Sequence, residues 1–286
     1  GRIIRDQLPY FFRQIILMKY IIILIINGQY KSIFVKSQVK GFISCLFFRQ
    51  YMERRLNRIF HCIIANWDGR ILIGLSGGKD SLCLLEMLGR RQRIIKPRIE
   101  VEAIHVRMEN IKYESDTSYL EAFAEKHGVR LHIVTTSFDN TKKTDKPACF
   151  LCSWHRRKAL FRFAQDNGFN KIALGHHMDD IIHTAMLNQF YQGSFSTMPV
   201  VMQMEKMPLT IIRPLCLLIE KDIKEYAELC GYKKQVKLCP YEKASNRTDM
   251  KRMFEEIEKI NPEARYSVWH ALEKEGKLKK LETVSL

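Results

Sequence analysis

Residues 70–81 read "RILIGLSGGKDS", an apolar run that passes without a loop into two glycines, a lysine, an aspartate and two flanking serines. Five residues dominated by apolar side chains and closed by glycine fit a buried strand. Gly77 and Gly78 supply the backbone freedom for a tight turn and for close approach of a ligand to the main chain. The helix that follows carries Leu82, Leu85 and Leu88 on its apolar face. Backbone N–H groups at the start of such a helix converge on one spot and attract phosphate. Lys79 adds a full charge, Ser76 and Ser81 add hydroxyls, and Asp80 adds a carboxylate able to hold magnesium between phosphate oxygens. Six specified residues fall at the one place on a strand–helix unit where they make chemical sense, which argues against a glycine turn that merely joins two elements. The pattern differs from the GxxxxGK[ST] loop.

The alternation continues along the chain. Strands are expected at 70–76, 101–107, 129–136, 171–177 and 209–215, and helices at 79–90, 115–127, 153–167 and 179–191, with a further helix ending near Gly231. Short apolar runs separated by longer helical periods predict an α/β fold, a doubly wound parallel sheet whose ligands lie beyond the carboxyl ends of its strands. "ALGHHMDD", residues 173–180, brings His176, His177, Asp179 and Asp180 to that edge. Acids in a first helical turn are favoured by the dipole alone, but adjacent histidines and adjacent aspartates at a strand end fit a functional role better. Beyond Pro240 the sequence turns helical and charged, with Pro262 suited to a first turn. The expected division is a poorly assigned basic apolar extension at 1–51, an α/β domain carrying the phosphate-type loop and the CxxC at 52–240, and a helical C-terminal segment at 241–286.

The chain has 286 residues, with 47 Lys plus Arg against 31 Asp plus Glu and a formal net charge of +16. Such an excess points to a polyanionic partner. It is uneven, because residues 1–51 hold eight basic residues and only Asp6 as an acid. The apolar run from Tyr20 to Ile26 is far short of the roughly 18 residues that span a bilayer, and no A-x-A-like cleavage site follows it. No stable membrane association is expected, and a cytoplasmic location is. "MERRLNRIF" from Met52 opens an amphipathic helix, and no function is assigned to the residues ahead of it.

Eight cysteines stand at positions 45, 62, 83, 149, 152, 216, 230 and 239. Without a secretory signature a disulfide framework is not expected. Cys149 and Cys152 in "PACFLCSW" lie just ahead of a helix that Ser153 can cap, and the helix N-terminus with Arg156, Arg157 and Lys158 favours thiolate. Alone, a CxxC leaves zinc, an iron–sulfur cluster, a redox pair and chance open. Cys62, Cys83, Cys216 and Cys230 fit small buried hydrophobes, and His105, His127 and His132 need no ligand role. Arg156, Arg157, Lys158 and Arg162 form a basic run that could clamp phosphates or simply face solvent, and "KLKK" at 277–280 is a weaker case. Trp154 is expected in the core, with base stacking as the alternative.

"SGGKDS" resembles the motif of the PP-loop ATP pyrophosphatases. The succession "LSGGKDS", "CFLCSWHRRKAL", "IALGHHMDDIIHTAMLNQFYQG", "IIRPL" and "LCPYEKASNR" resembles the tRNA 2-thiocytidine synthetases (TtcA) over roughly residues 52–275. The resemblance implies cleavage of ATP between the α and β phosphates. It implies adenylation of the C2 oxygen of an anticodon-loop cytidine and replacement of that oxygen by sulfur. In that family three cysteines hold a [4Fe–4S] cluster, and Cys149, Cys152 and Cys239 match them, leaving one iron open for sulfide. Lys79 and Asp80 with magnesium are then expected to stabilise the departing pyrophosphate. The implied partners are tRNA, a sulfur donor such as a cysteine desulfurase, and a second copy in a homodimer. Met178 follows the paired histidines where family members often carry arginine, a departure that bears on the nucleoside more than on the chemistry.

The rivals are a tRNA 2-thiouridine synthetase, nitrogen-adding PP-loop ligases such as lysidine synthetase or NAD synthetase, and a non-catalytic tRNA-binding zinc protein. The ligases need no cysteine trio, and a closed zinc site wants a fourth ligand.

Overall fold

A computed structural model of the chain describes residues 45–57, 69–94, 99–109, 116–137, 148–233 and 246–280. Helix α1 covers 45–57. It is followed by β1 (Arg70–Gly74), α2 (Lys79–Ile94), β2 (Glu100–Met108), α3 (Thr117–Lys126), β3 (Arg130–Thr136), α4 (Ala148–Asp166), β4 (Lys171–Ala173), α5 (Met178–Gln192), β5 (Val201–Gln203), β6 (Thr210–Ile212), α6 (Glu220–Leu229), α7 (Asn246–Ile260), α8 (Ala264–Lys274) and β7 (Lys279–Lys280). The seven strands form one sheet in the order β3-β2-β1-β4-β6-β5-β7. The β3-β2-β1-β4-β6 pairings are parallel, and β5 runs antiparallel to β6. The doubly wound sheet expected from the sequence is the sheet observed, with its order reversing between β1 and β4, where such sheets bind ligands.

Side chains alternate across a strand, and two core clusters use that alternation. Ile71 and Ile73 of β1 face one side with Leu82, Leu85 and Leu88 of α2, while Leu72 faces the other with Leu160 and Ala164 of α4. Both sheet faces are thus covered, as apolar parallel strands require. α2 is buried continuously from Ser81 to Gly89, because β1 lies on one side of it and α6 on another.

The differences from the expected elements have local causes. The strand expected at 171–177 stops at Ala173, since Gly175 turns away to lie against the backbone of Asp80 and Ser81. The strand expected at 209–215 stops at Ile212, and Pro214 has no N–H to continue a ladder. β5 and β7 were not expected at all, and "KLKK" proves to be sheet edge, with Leu278 buried and its carbonyl accepting from Val200 N at 2.7 Å. The α4 helix begins at Ala148 instead of Ser153, whose hydroxyl donates back to Phe150 O at 2.9 Å and caps nothing. α1 crosses residue 51, and Cys45, Met52 and Leu56 are buried in the larger core. Their spacing follows one helical face, so part of the segment left without a role is a packing element. Among the described residues no helix is long and apolar enough to cross a membrane.

Candidate active site

The loop after β1 is closed on itself by side chains. Leu75 N still donates to Ile104 O of β2 at 2.9 Å, and Gly77 then takes a φ of 81°, in the left-handed region that favours glycine. Gly78 N donates to Ser76 Oγ at 3.3 Å, Ser76 Oγ donates to Ser81 Oγ at 3.1 Å, and Ser81 Oγ donates to Gly78 O at 2.9 Å. This ring of three bonds pins the turn to the start of α2. The N–H of Leu82 donates to Gly78 O at 3.0 Å, and the N–H groups ahead of it in the first turn have no acceptor within the helix. His105 Nδ1 lies 2.7 Å from Leu75 O and must be the donor, which props the loop from β2. Its structural role is the one expected.

Lys79 Nζ lies 3.1 Å from Asp80 Oδ1 and 3.3 Å from Glu220 Oε1 at the start of α6. Burial works against its charge, but Asp80 and then Glu220 outweigh burial and raise its pKa. Glu220 also receives Lys251 Nζ of α7 at 2.7 Å. Asp80 Oδ1 is buried and makes no hydrogen bond among the described residues, although the Lys79 ammonium stands beside it.

The second loop meets the first backbone to backbone. A Cβ placed on Gly175 would lie 3.1 Å from Asp80 C and from Ser81 N, closer than ordinary contact, so only glycine lets the two loops approach this far. His177 N donates to Asp180 Oδ2 at 3.1 Å, closing the start of α5. The His177 ring stands among three carboxylates, with Nδ1 3.4 Å from Asp179, and Nε2 3.4 Å from Asp180 and 3.9 Å from Asp80. Burial opposes its protonation, but Asp179, Asp180 and Asp80 raise its pKa above the ordinary value. The neighbouring His176 goes the other way. Burial and then Arg213 lower it to about 4, which leaves Nδ1 free to accept from Arg213 Nε at 3.3 Å.

Asp179 is occupied by structure. It is buried, its Oδ2 accepts from Glu220 N at 2.7 Å, and its Oδ1 is ion-paired with Arg265 of α8. Arg265 in turn grips Glu258 at 2.7 and 2.9 Å. Burial alone would raise the Asp179 carboxyl, but the bond to His177 and the charge of Arg265 hold it well below the usual carboxylate range. Asp180 is half-buried and remains beside Asp80 at the site. Sequence reasoning missed Glu220, Arg213 and Arg265. Arg213 lies in the "IIRPL" stretch, and the other two bear no signal beyond their charge. Met178 is buried and its N donates to Leu218 O at 2.9 Å, so the residue type there is set by packing.

Cys149 and Cys152 lie in the first turn of α4, Cys149 exposed and Cys152 half-buried against Met108 at the carboxyl end of β2. They belong to the same sheet edge as the two loops. Cys239, like Cys62, lies outside the described residues. Arg157, Lys158 and Arg162 are exposed along α4. Trp154 is 44% exposed, contrary to the core position expected, because α4 turns Leu160 and Ala164 to the sheet and leaves Trp154 on a different face, and Lys158 Nζ stands 5.0 Å from its ring centre. Cys83 and Cys216 are fully buried as expected, whereas Cys230 is only partly so. His127 and His132 face Glu86 and Glu102, as structural histidines do.

Residues 49–236 match the PP-loop domain family. The tRNA-cytidine(32) 2-sulfurtransferase of Bdellovibrio bacteriovorus is 36% identical over 200 residues, covering 68% of this chain and 76% of that protein. The tRNA-cytidine(32) 2-sulfurtransferase 1 of Francisella tularensis subsp. novicida is 36% identical over 229 residues, covering 78% of this chain and 85% of its own length. Among solved structures, the U34-tRNA thiolase NcsA from Methanococcus maripaludis with its [4Fe-4S] cluster is similar with a TM-score of 0.67 and 25% identity, over 83% of this chain and 85% of that one. With its phosphate-type loop, its second loop and its cysteine pair gathered on one sheet edge, the chain belongs to the PP-loop family and, within it, to the family of the tRNA-cytidine(32) 2-sulfurtransferases.

Proposed function

We propose that the protein is an ATP-dependent tRNA sulfurtransferase that adenylates the C2 oxygen of an anticodon-loop cytidine and replaces that oxygen with sulfur. The observation that carries this is the convergence of three features on one edge: the Ser76–Ser81 loop, the His176–Asp180 loop in backbone contact with it, and the Cys149/Cys152 turn. Family membership supports the same activity.

The first-turn N–H groups of α2 and the Lys79 ammonium bind the ATP phosphates, displacing the present contacts of Lys79 with Asp80 and Glu220. Ser76, Gly77, Gly78 and Ser81 shape that cradle, and His176, Asp179 and Asp180 line or brace its far side. Asp80, whose Oδ1 has the Lys79 charge beside it but no hydrogen bond, fits a magnesium ion held against the phosphates once Lys79 turns to them. Attack of the C2 oxygen on the α-phosphate releases pyrophosphate, whose charge Lys79 stabilises, and makes AMP the leaving group. Delivery of sulfur to C2 then expels AMP.

Two thiols three residues apart share one helix face, and with Cys149 open to solvent their donor chemistry fits a [4Fe–4S] cluster completed by Cys239. When bound, the cluster supplies a place for sulfide ahead of transfer. Arg157, Lys158 and Arg162 contact tRNA phosphates, and exposed Trp154 offers a stacking face to a splayed base. A cysteine desulfurase as sulfur donor, a homodimer and a cytoplasmic setting complete the proposal. A uridine target is the second reading, favoured by the likeness to a U34 thiolase; the higher identity to cytidine enzymes favours cytidine.

The test is product analysis with purified protein under anaerobic conditions, ATP and tRNA. Release of pyrophosphate and AMP that depends on tRNA is expected. Release of orthophosphate and ADP would overturn the proposal.

A further inference from the structure

On the back of α2, away from the loops, lies a second sulfur pair. Cys45 of α1 and Cys230, the residue that ends α6, are 185 positions apart, and their Sγ atoms stand 2.7 Å apart. Cys45 is 8% exposed, and Cys230 is partly exposed. Arg49 Nη2 lies 3.8 Å from both sulfurs. The guanidinium is fixed by Glu86 at 3.1 Å and by its bond to Tyr226 OH at 2.8 Å, while Tyr226 and Tyr232 each donate to Glu86 at 2.7 Å. The pair opens onto a cavity of about 680 Å³ whose charged lining is mostly basic, with Arg90, Arg93 and Lys126 beside Arg49. Arg49 is paired with Glu86 and Arg90 with Glu53 at 2.7 Å, so the cations of the lining that face no acid among the described residues are Arg93 and Lys126, and they suit the cavity to a small anionic molecule.

The two sulfurs are not equivalent. The hydrogen bond to Cys230, and then burial, raise the Cys45 thiol. The hydrogen bond from Cys45, helped by the Arg49 charge, outweighs burial and Glu86 and brings Cys230 down to about 7, near the value at which an attacking thiol is most effective at neutral pH. A helix C-terminus by itself disfavours thiolate, and Arg49 offsets that.

We propose that Cys45 and Cys230 form a thiol–disulfide exchange site, in which a low-molecular-weight anionic disulfide entering this cavity oxidises the pair to an intrachain disulfide joining α1 to α6. The Cys230 thiolate attacks one sulfur of the incoming disulfide, making a mixed disulfide and releasing one thiolate. Cys45 loses its proton and attacks Cys230 Sγ, which forms the intrachain bond and expels the second thiolate. The protein gives up two electrons, the incoming disulfide is reduced to two thiols, and the two protons go to those thiols. The site shares no residue with the nucleotide loops, so it stands independently of the sulfur-transfer chemistry.

The test uses the reduced full chain, incubated anaerobically with oxidised glutathione, alkylated, digested with trypsin and mapped by mass spectrometry. The expected product joins peptide 41–49 to peptide 225–233, two hydrogens lighter than the separate thiols. Cys45→Ser is expected to trap glutathione on Cys230, at a rate about tenfold above that on Cys45 in Cys230→Ser. Recovery of both wild-type peptides separately as alkylated thiols would overturn the proposal, whatever the variants do. A faster reaction at Cys45 than at Cys230 would overturn the assignment of the attacking sulfur.

Discussion

Replacing Gly175 with alanine tests whether the contact between the two loops sets the geometry of catalysis. The new methyl would sit 3.1 Å from Asp80 C and Ser81 N and 3.2 Å from Asp80 O, all backbone atoms that cannot swing aside. Ordinary contact begins at 3.4 Å, so the loops must separate by roughly 0.3 Å. Overpacking of this kind costs about 1–3 kcal/mol, and reduced freedom of the unfolded chain returns about 0.4–1 kcal/mol. The net loss of about 1 kcal/mol lowers Tm by about 2 °C in a chain of this size. If a 1 Å misplacement costs about 100-fold in rate and the logarithm scales with displacement, 0.3 Å costs about fourfold. Tm by calorimetry and the rate of tRNA-dependent pyrophosphate release measure the two effects. Gly193→Ala is the control. Gly193 has a φ of 61° with open space around it, so alanine there should cost about 1 kcal/mol through backbone strain while leaving the rate unchanged. A Gly175→Ala protein with wild-type rate and wild-type Tm would refute the close-contact argument.

Further outcomes follow from the same site. Arg265→Met leaves buried Asp179 without its counter-charge and should cost about 3 kcal/mol, seen as a Tm about 5 °C lower; an unchanged Tm would mean the Glu220 N–H and His177 suffice. His176, lowered to about 4 by burial and Arg213, takes up its proton more readily when unfolded. Its contribution is therefore present above the ordinary value of about 6.5 and is lost as pH falls towards 4. Tm should thus decline more steeply over that range in the wild type than in His176→Gln, and parallel curves would show that His176 is not the group responsible. Cys149→Ala should lose iron and thiolation while still binding ATP, by iron assay and calorimetric titration; retention of full iron would remove Cys149 from the ligand set.

The parts of the molecule that were legible in the sequence are those where one physical requirement dominates. A strand that ends in SGGKDS has little else to be, and the run of short apolar segments and helices dictated a doubly covered parallel sheet. β5 and β7 escaped because strands of three and two residues carry no period, and their pairing is decided by neighbours far along the chain. The early start of α4 escaped because Ser153 looked like a cap. Asp179 was read as a ligand neighbour from its place beside Asp180; only the tertiary approach of Arg265 and the α6 N-terminus separates their roles. Cys230 was read as a small buried hydrophobe and Cys45 lay in the segment given no role, because nothing in a sequence brings positions 185 apart together.

The central claim, that Lys79 and the glycine loop activate a cytidine for sulfur transfer, is tested most directly by nucleoside mass spectrometry of tRNA. The tRNA would be incubated with ATP, sulfide and either the anaerobically prepared wild type or Lys79→Ala. The account predicts 2-thiocytidine with the wild type and none with Lys79→Ala. Absence of any thiolated nucleoside with the wild type, or equal amounts from both proteins, would contradict it.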